Sequence, residues 1–140
     1  MLKTKDLLQT IHAINEILCE ENPTCMFLTL NICIIDSKKQ VLEYVNGGHN
    51  RPIFGNFRDG FNFLSQPKGI LVGIKSKTEY ELASRQLNPG DVLILYTDGI
   101  TEAMNPKLEE FTEHRLLAHI NLQQSFFRTR NYSNHTASRA

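Results

Sequence analysis

The stretch LILYTDGITEA, Leu93 to Ala103, ends a run of apolar β-formers on Thr97-Asp98-Gly99 and places a second acid, Glu102, four residues beyond Asp98. A carboxylate at the tip of a buried strand is costly unless it is solvated, hydrogen-bonded or bound to a cation. The glycine that follows lets the backbone bend away, so the carboxylate can face into a shared cleft. Two readings follow. Asp-Gly after a strand is an ordinary β-turn signal, and a carboxylate so placed is also an oxygen ligand of the kind that Mg2+ or Mn2+ takes. One carboxylate does not make a site, so the surrounding sequence has to choose.

Immediately upstream, NPGD is a turn into the strand DVLILYT, with Asp91 capping that turn. Near the start, Leu7, Leu8, Ile11, Ile14, Ile17 and Leu18 recur at helical spacing, with Thr4 as N-cap and Asn22-Pro23 as the stop. Asp6, Gln9, Asn15, Glu16 and Glu20 fall largely elsewhere on that wheel. Met26, Leu28, Leu30, Ile32 and Ile34 then alternate as a strand with one face in the core, DSKKQ turns the chain, and VLEYV returns as its antiparallel partner. Short strands are expected in PIFGNF and FNFLS, joined around Asp59-Gly60, and in TEYELASRQL. Downstream, Asn105-Pro106 predicts the cap and first turn of a helix through about Ile120, with Leu108, Phe111, Leu117 and Ile120 inward. The order of helix, antiparallel strands and helix indicates an α+β, sheet-rich domain over residues 1–120. Residues 121–140 show no period and are expected to be a disordered or non-native tail.

Fifteen basic side chains balance fifteen acidic ones in 140 residues, so no overall field draws the chain to nucleic acid or membrane. The balance conceals an asymmetry. Residues 1–120 hold twelve basic and fifteen acidic groups, whereas the tail has Arg128, Arg130 and Arg139 and no acid. Cys19, Cys25 and Cys33 lack paired zinc-site spacing and read as free thiols in a reducing compartment. Charges interrupt every apolar stretch of the N-terminal MLKTKDLLQTIHAINEILCEE, and the longest apolar run, MFLTLNICII, is far too short to cross a bilayer, so the expected setting is cytoplasmic.

Two further loops stand out. In GGHN, Gly47 to Asn50, the glycines permit positive φ and His49 and Asn50 offer donors and acceptors; a glycine-rich hairpin turn is the plain alternative to a direct role. QPKGILVGI, Gln66 to Ile74, lacks the glycine order and the terminal Gly-Lys-Ser/Thr of a phosphate-cradling loop and reads as a packed connection.

Taken together, MFLTL, LEYVNGGHNRPIF, GILVGI, LNPGDVLILYTDGITEAMN and EFTEHRLLAHI, in this order, resemble the metal-dependent PPM (protein phosphatase 2C-like) family. The nearest branch is that of the sporulation stage II E phosphatase and the sigma-factor regulators. The resemblance runs from about Leu7 to Ile120 and implies part of an α-β-β-α sandwich of two antiparallel sheets with flanking helices. It also implies two Mn2+ or Mg2+ ions in a complete domain and hydrolysis of phosphoserine or phosphothreonine on a regulatory protein by a metal-activated water. On that basis Asp98 is the expected catalytic metal ligand and Glu102 lies near an accessory metal. Gly48, His49, Asn50 and Gly99 border the substrate or support the ligands. The implied partner is a phosphoprotein such as an anti-sigma factor antagonist. The family's G-D-x-x-D and D-D-x-T motifs have no counterpart here, and Thr112 stands after Phe111 where the family usually has glycine. The expectation is therefore a domain fragment that associates with itself or with a complementing half. The alternative is a non-catalytic, phosphatase-like interaction module.

Overall fold

The computed structural model describes residues 4–21 and 26–123. They form helix α1 (Thr4–Glu20), strands β1 (Leu30–Asp36), β2 (Val41–Gly47), β3 (Ile53–Asn56), β4 (Gly60–Phe63), β5 (Ala83–Gln86) and β6 (Val92–Ile94), and the short helix α2 (Asp98–Thr101). A third helix, α3, occupies 113–123. The strands make two antiparallel three-stranded sheets, ordered β1-β2-β5 and β4-β3-β6, which bears out the α+β class. Each sheet belongs to one of two compact units. Residues 1–49 and 65–88 form the first, and residues 50–64 and 89–140 the second.

In the first unit the β1–β2 turn is built by Asp36, whose Oδ1 accepts the N–H groups of Lys38 and Lys39 at 3.0 and 2.9 Å. That turn sets the register from Asp36 opposite Val41 to Leu30 opposite Gly47. Period-two alternation then puts Leu30, Ile32 and Ile34 on the face that packs with Val45 against Leu7 and Ile11 of α1. Met26, expected inside, is 70% exposed, and pairing at that end is a single bridge between Leu28 and Val72. The wheel misplaced Asn15. It is fully buried, with Nδ2 donating to the Lys75 carbonyl at 2.9 Å. Its Oδ1 accepts the Gly73 N–H and the Tyr80 hydroxyl at 3.0 and 3.1 Å. A buried amide with every one of these bonds made is stabilising, and without them would cost more than it gives.

In the second unit Asn56 organises the β3–β4 hairpin. Its Oδ1 accepts the N–H groups of Arg58 and Asp59, while its Nδ2 donates to Asp91 Oδ1 at 3.0 Å. The role of Asp91 is thus to join the entrance of β6 to this hairpin. Ile53, Phe61 and Tyr96 form the core, covered by Leu116, Leu117 and Ile120 of α3. Asn121 clamps β4 from outside, accepting the Phe61 N–H at 2.8 Å and donating to the Phe61 carbonyl at 3.0 Å. An open strand edge is closed in this way. Residues 121–123 therefore belong to α3, and the expected tail from 124 onward lies outside the described residues.

The helix expected from Asn105 does not form there. Asn105 Oδ1 accepts the N–H groups of Lys107 and Glu109, and Nδ2 bonds the Glu109 carboxylate at 2.8 Å. The side chain closes a local turn that competes with helix initiation. Leu108 and Thr112 adopt φ of 62° and 64°, which no helix accommodates, and Leu108 is 78% exposed rather than inward. The strand expected across TEYELASRQL is confined to Ala83–Gln86.

Candidate functional site

The GGHN bend closes the β2 end of the first unit. Gly48 has φ of 74°, and a Cβ there would meet the Leu71 backbone nitrogen at 2.9 Å, so this turn requires glycine. The organising residue is one the sequence reading passed over. Asn46, 1% exposed, accepts the His49 N–H on Oδ1 at 2.8 Å and returns Nδ2 to the His49 carbonyl at 2.9 Å. Both backbone groups of His49 are thereby satisfied by one amide. The His49 ring is also placed, with Nδ1 2.9 Å from the Thr29 hydroxyl. An asparagine directly before Gly-Gly is a recognisable turn residue, and that was the available signal.

The strand expected across DVLILYT is confined to β6, Val92–Ile94, and Asp98 opens α2 in the second unit four residues beyond its end, with Tyr96 buried between them. Asp98, Gly99 and Glu102 are all exposed, and the Glu102 N–H bonds the Asp98 carbonyl at 2.8 Å, so the two acids sit one helical turn apart. Water solvates both carboxylates, which removes the burial cost that would otherwise argue against an acid at the strand tip. Thr97, the N-cap, makes no side-chain capping bond. The first unit holds Gly48 and His49, while Asn50, Asp98, Gly99 and Glu102 fall in the second. Among the described residues no group of three or more His, Cys, Asp or Glu side chains comes together that could hold a metal ion. A hard cation needs several oxygen ligands. The described residues therefore do not by themselves fit a two-metal centre, although Asp98 is suited to supply one ligand of it.

Beside the strand tip lies a polar cluster that the sequence reading also missed. The Tyr96 hydroxyl donates to Glu113 Oε2 at 3.0 Å, and Glu113 Oε1 is 3.9 Å from Arg51 Nη2. Burial pushes the Tyr96 phenol well above its ordinary range. The Glu113 carboxylate adds to that shift, with Asp98 reinforcing it and Arg51 opposing it. Tyr96 stays a neutral hydrogen-bond donor throughout the physiological range. Cys19 and Cys33 are free thiols, and Cys25 lies outside the described residues. Among the described residues no helix is long and apolar enough to cross a membrane.

Residues 1–129 match the family model of stage II sporulation protein E (SpoIIE). Protein IcfG of Synechocystis sp. is 33% identical over 119 residues, covering 82% of this chain and 19% of that protein. Phosphoserine phosphatase RsbU of Bacillus subtilis is 24% identical over 94 residues, covering 67% of this chain and 28% of RsbU. The chain thus spans less than a third of either relative. Among solved structures, the RsbU and RsbW domains of Rv1364c from Mycobacterium tuberculosis superpose with a TM-score of 0.68 at 21% identity, covering 85% of this chain and 32% of that one. The manganese-presoaked phosphatase domain of SpoIIE from Bacillus subtilis gives 0.55 at 22% identity, covering 89% and 57%. These likenesses agree with the two antiparallel sheets and their helices, and the match over 129 of 140 residues decides membership: the chain belongs to the SpoIIE family of PPM-type phosphatase domains, of which it carries a part.

Proposed function

We propose that this chain is part of a metal-dependent protein serine/threonine phosphatase that removes phosphate from a phosphoserine or phosphothreonine of a regulatory protein in the cytoplasm. The observation that carries the reading is the exposed Asp98 at the start of α2, just beyond β6, within a family match that covers 1–129. Asp98 contributes one carboxylate to a Mn2+ or Mg2+ centre whose other ligands come from outside the described residues. Glu102, one turn along, lies near an accessory ion. The Gly48–His49 bend and Asn50 contribute to substrate contact, and Gly99 frees the backbone that presents Asp98. The name of the relative RsbU, a phosphoserine phosphatase, supports phosphoserine as the substrate class. The partner this implies is a small phosphoprotein antagonist of an anti-sigma factor.

The direct test is hydrolysis of a phosphoserine peptide by the purified chain with and without Mn2+, beside Asp98→Asn. The chain alone, with one ligand, is expected to turn over little; joined to a complementing half it is expected to show Mn2+-dependent turnover that falls by about two orders of magnitude or more in the variant, because a ligand has been neutralised. Complemented turnover that survives the substitution overturns the reading for this chain.

A further inference from the structure

Arg51 follows the Gly-Gly-His-Asn bend, and its guanidinium carbon lies 4.5 Å from the centroid of the Phe63 ring. An aromatic face attracts a cation and holds a planar guanidinium flat, which lowers the entropy lost when the fork binds something else. Its acidic neighbour does not close on it. The 3.9 Å from Arg51 Nη2 to Glu113 Oε1 is far beyond the about 2.7–2.9 Å of a charge-assisted hydrogen bond. Glu113 is restrained from swinging closer because its other oxygen accepts the hydroxyl of buried Tyr96. Arg51 is thus stacked, 37% exposed and loosely paired.

We propose that Arg51 is an oxyanion-binding group that takes two oxygens of a phosphoserine phosphoryl group, with Glu113 standing in for that anion when substrate is absent. A planar five-donor fork matches two phosphate oxygens, and a dianion in direct contact outcompetes a monoanion held 3.9 Å away. The identity of the anion rests on the phosphatase reading; the position of the site rests on the geometry of Arg51 alone.

The test titrates the full, isotopically labelled chain with inorganic phosphate at constant ionic strength, without metal. It is read at the Arg51 Nε–Hε resonance and at the backbone amides of Glu113 and His114. A saturable shift is expected in the parent, binding about tenfold or more weaker in Arg51→Gln, and partial recovery in Arg51→Lys. Glu113→Gln keeps an acceptor for Tyr96 while removing the competing charge, and is expected to tighten binding about threefold. That gain cannot be produced by a variant that merely misfolds. No saturable shift at Arg51, equal affinity in Arg51→Gln, or weaker binding in Glu113→Gln overturns the site. Metal-dependent turnover with no Arg51 shift also rejects the site while leaving the phosphatase reading intact. A phosphate shift, with turnover of the complemented chain that survives Asp98→Asn, keeps the site and rejects that reading.

Discussion

The bend at residues 46–49 and the segment at 98–112 both follow a strand and both carry candidate site residues, yet they are built by opposite means. In the first, positive φ falls on Gly48, and buried Asn46 satisfies the donor and the acceptor of His49. In the second, positive φ falls on Leu108 and on β-branched Thr112, and Ile100, Met104 and Leu108 are exposed. Residues in the left-handed region without glycine store strain, and β-branched ones store more. One loop is specified by its own sequence. The other holds its shape against local preference, through the Asn105 turn and the bonds from Phe111 N–H to the Ala103 carbonyl and from Thr112 N–H to the Thr101 carbonyl.

The sharpest way to break the contrast is Asn46→Ala, which leaves both backbone groups of His49 without their amide partner. We expect a loss of about 2–4 kcal/mol in chemical denaturation. A loss below about 1 kcal/mol would mean that water replaces the amide and that this bend is no better determined than the other. Gly48→Ala comes next. Positive φ costs an L-residue about 1–2 kcal/mol, and the contact with Leu71 adds to it. A melting temperature equal to the parent's would show that the bend relaxes freely.

On the strained side the sign reverses. Thr112 caps α3 through a 3.4 Å contact from Arg115 N–H to its Oγ1, a poor bond to lose. Glycine as N-cap is only a few tenths of a kcal/mol worse than threonine, whereas strain relief is worth about 1–2 kcal/mol. Thr112→Gly is therefore expected to stabilise the chain by about 1 kcal/mol, read as a higher unfolding midpoint. Destabilisation would place the constraint in the side chain rather than the backbone. This same position is where the family resemblance anticipated glycine, and φ of 64° supplies the physical reason.

The smallest effect concerns pH. The Glu16 carboxylate accepts the Ser76 hydroxyl and the Lys77 N–H and is held below its ordinary range, with the Ser76 bond the largest cause. A depressed carboxyl adds stability that is complete above the unfolded value near 4.5 and fades as pH falls through the lower folded value. Glu16→Gln should flatten the acid limb of a stability profile by lowering stability at neutral pH, where the contribution is complete, and should change little at pH values well below about 4.5, where it has already faded. An unchanged acid limb would show that the exposed pair with Ser76 is screened out.

Local signals were sufficient for α1 and for the hairpins β1–β2 and β3–β4, because periodicity and turn residues act within a few positions of themselves; they overran β6, which stops at Ile94. They misled at Asn105, where Asn-Pro reads equally well as a helix start and as the first residues of a side-chain-closed turn. Tertiary structure alone decided which polar groups go inside. Asn15 bonds Gly73 and Tyr80, Asn121 bonds Phe61, and Glu113 meets both Tyr96 and Arg51. Each partner lies between 17 and 65 residues away in the chain. A polar side chain is stable in a core only when such partners converge on it. No window of sequence contains that convergence, so the acid at Asp98 could be read from the chain and its neighbourhood could not.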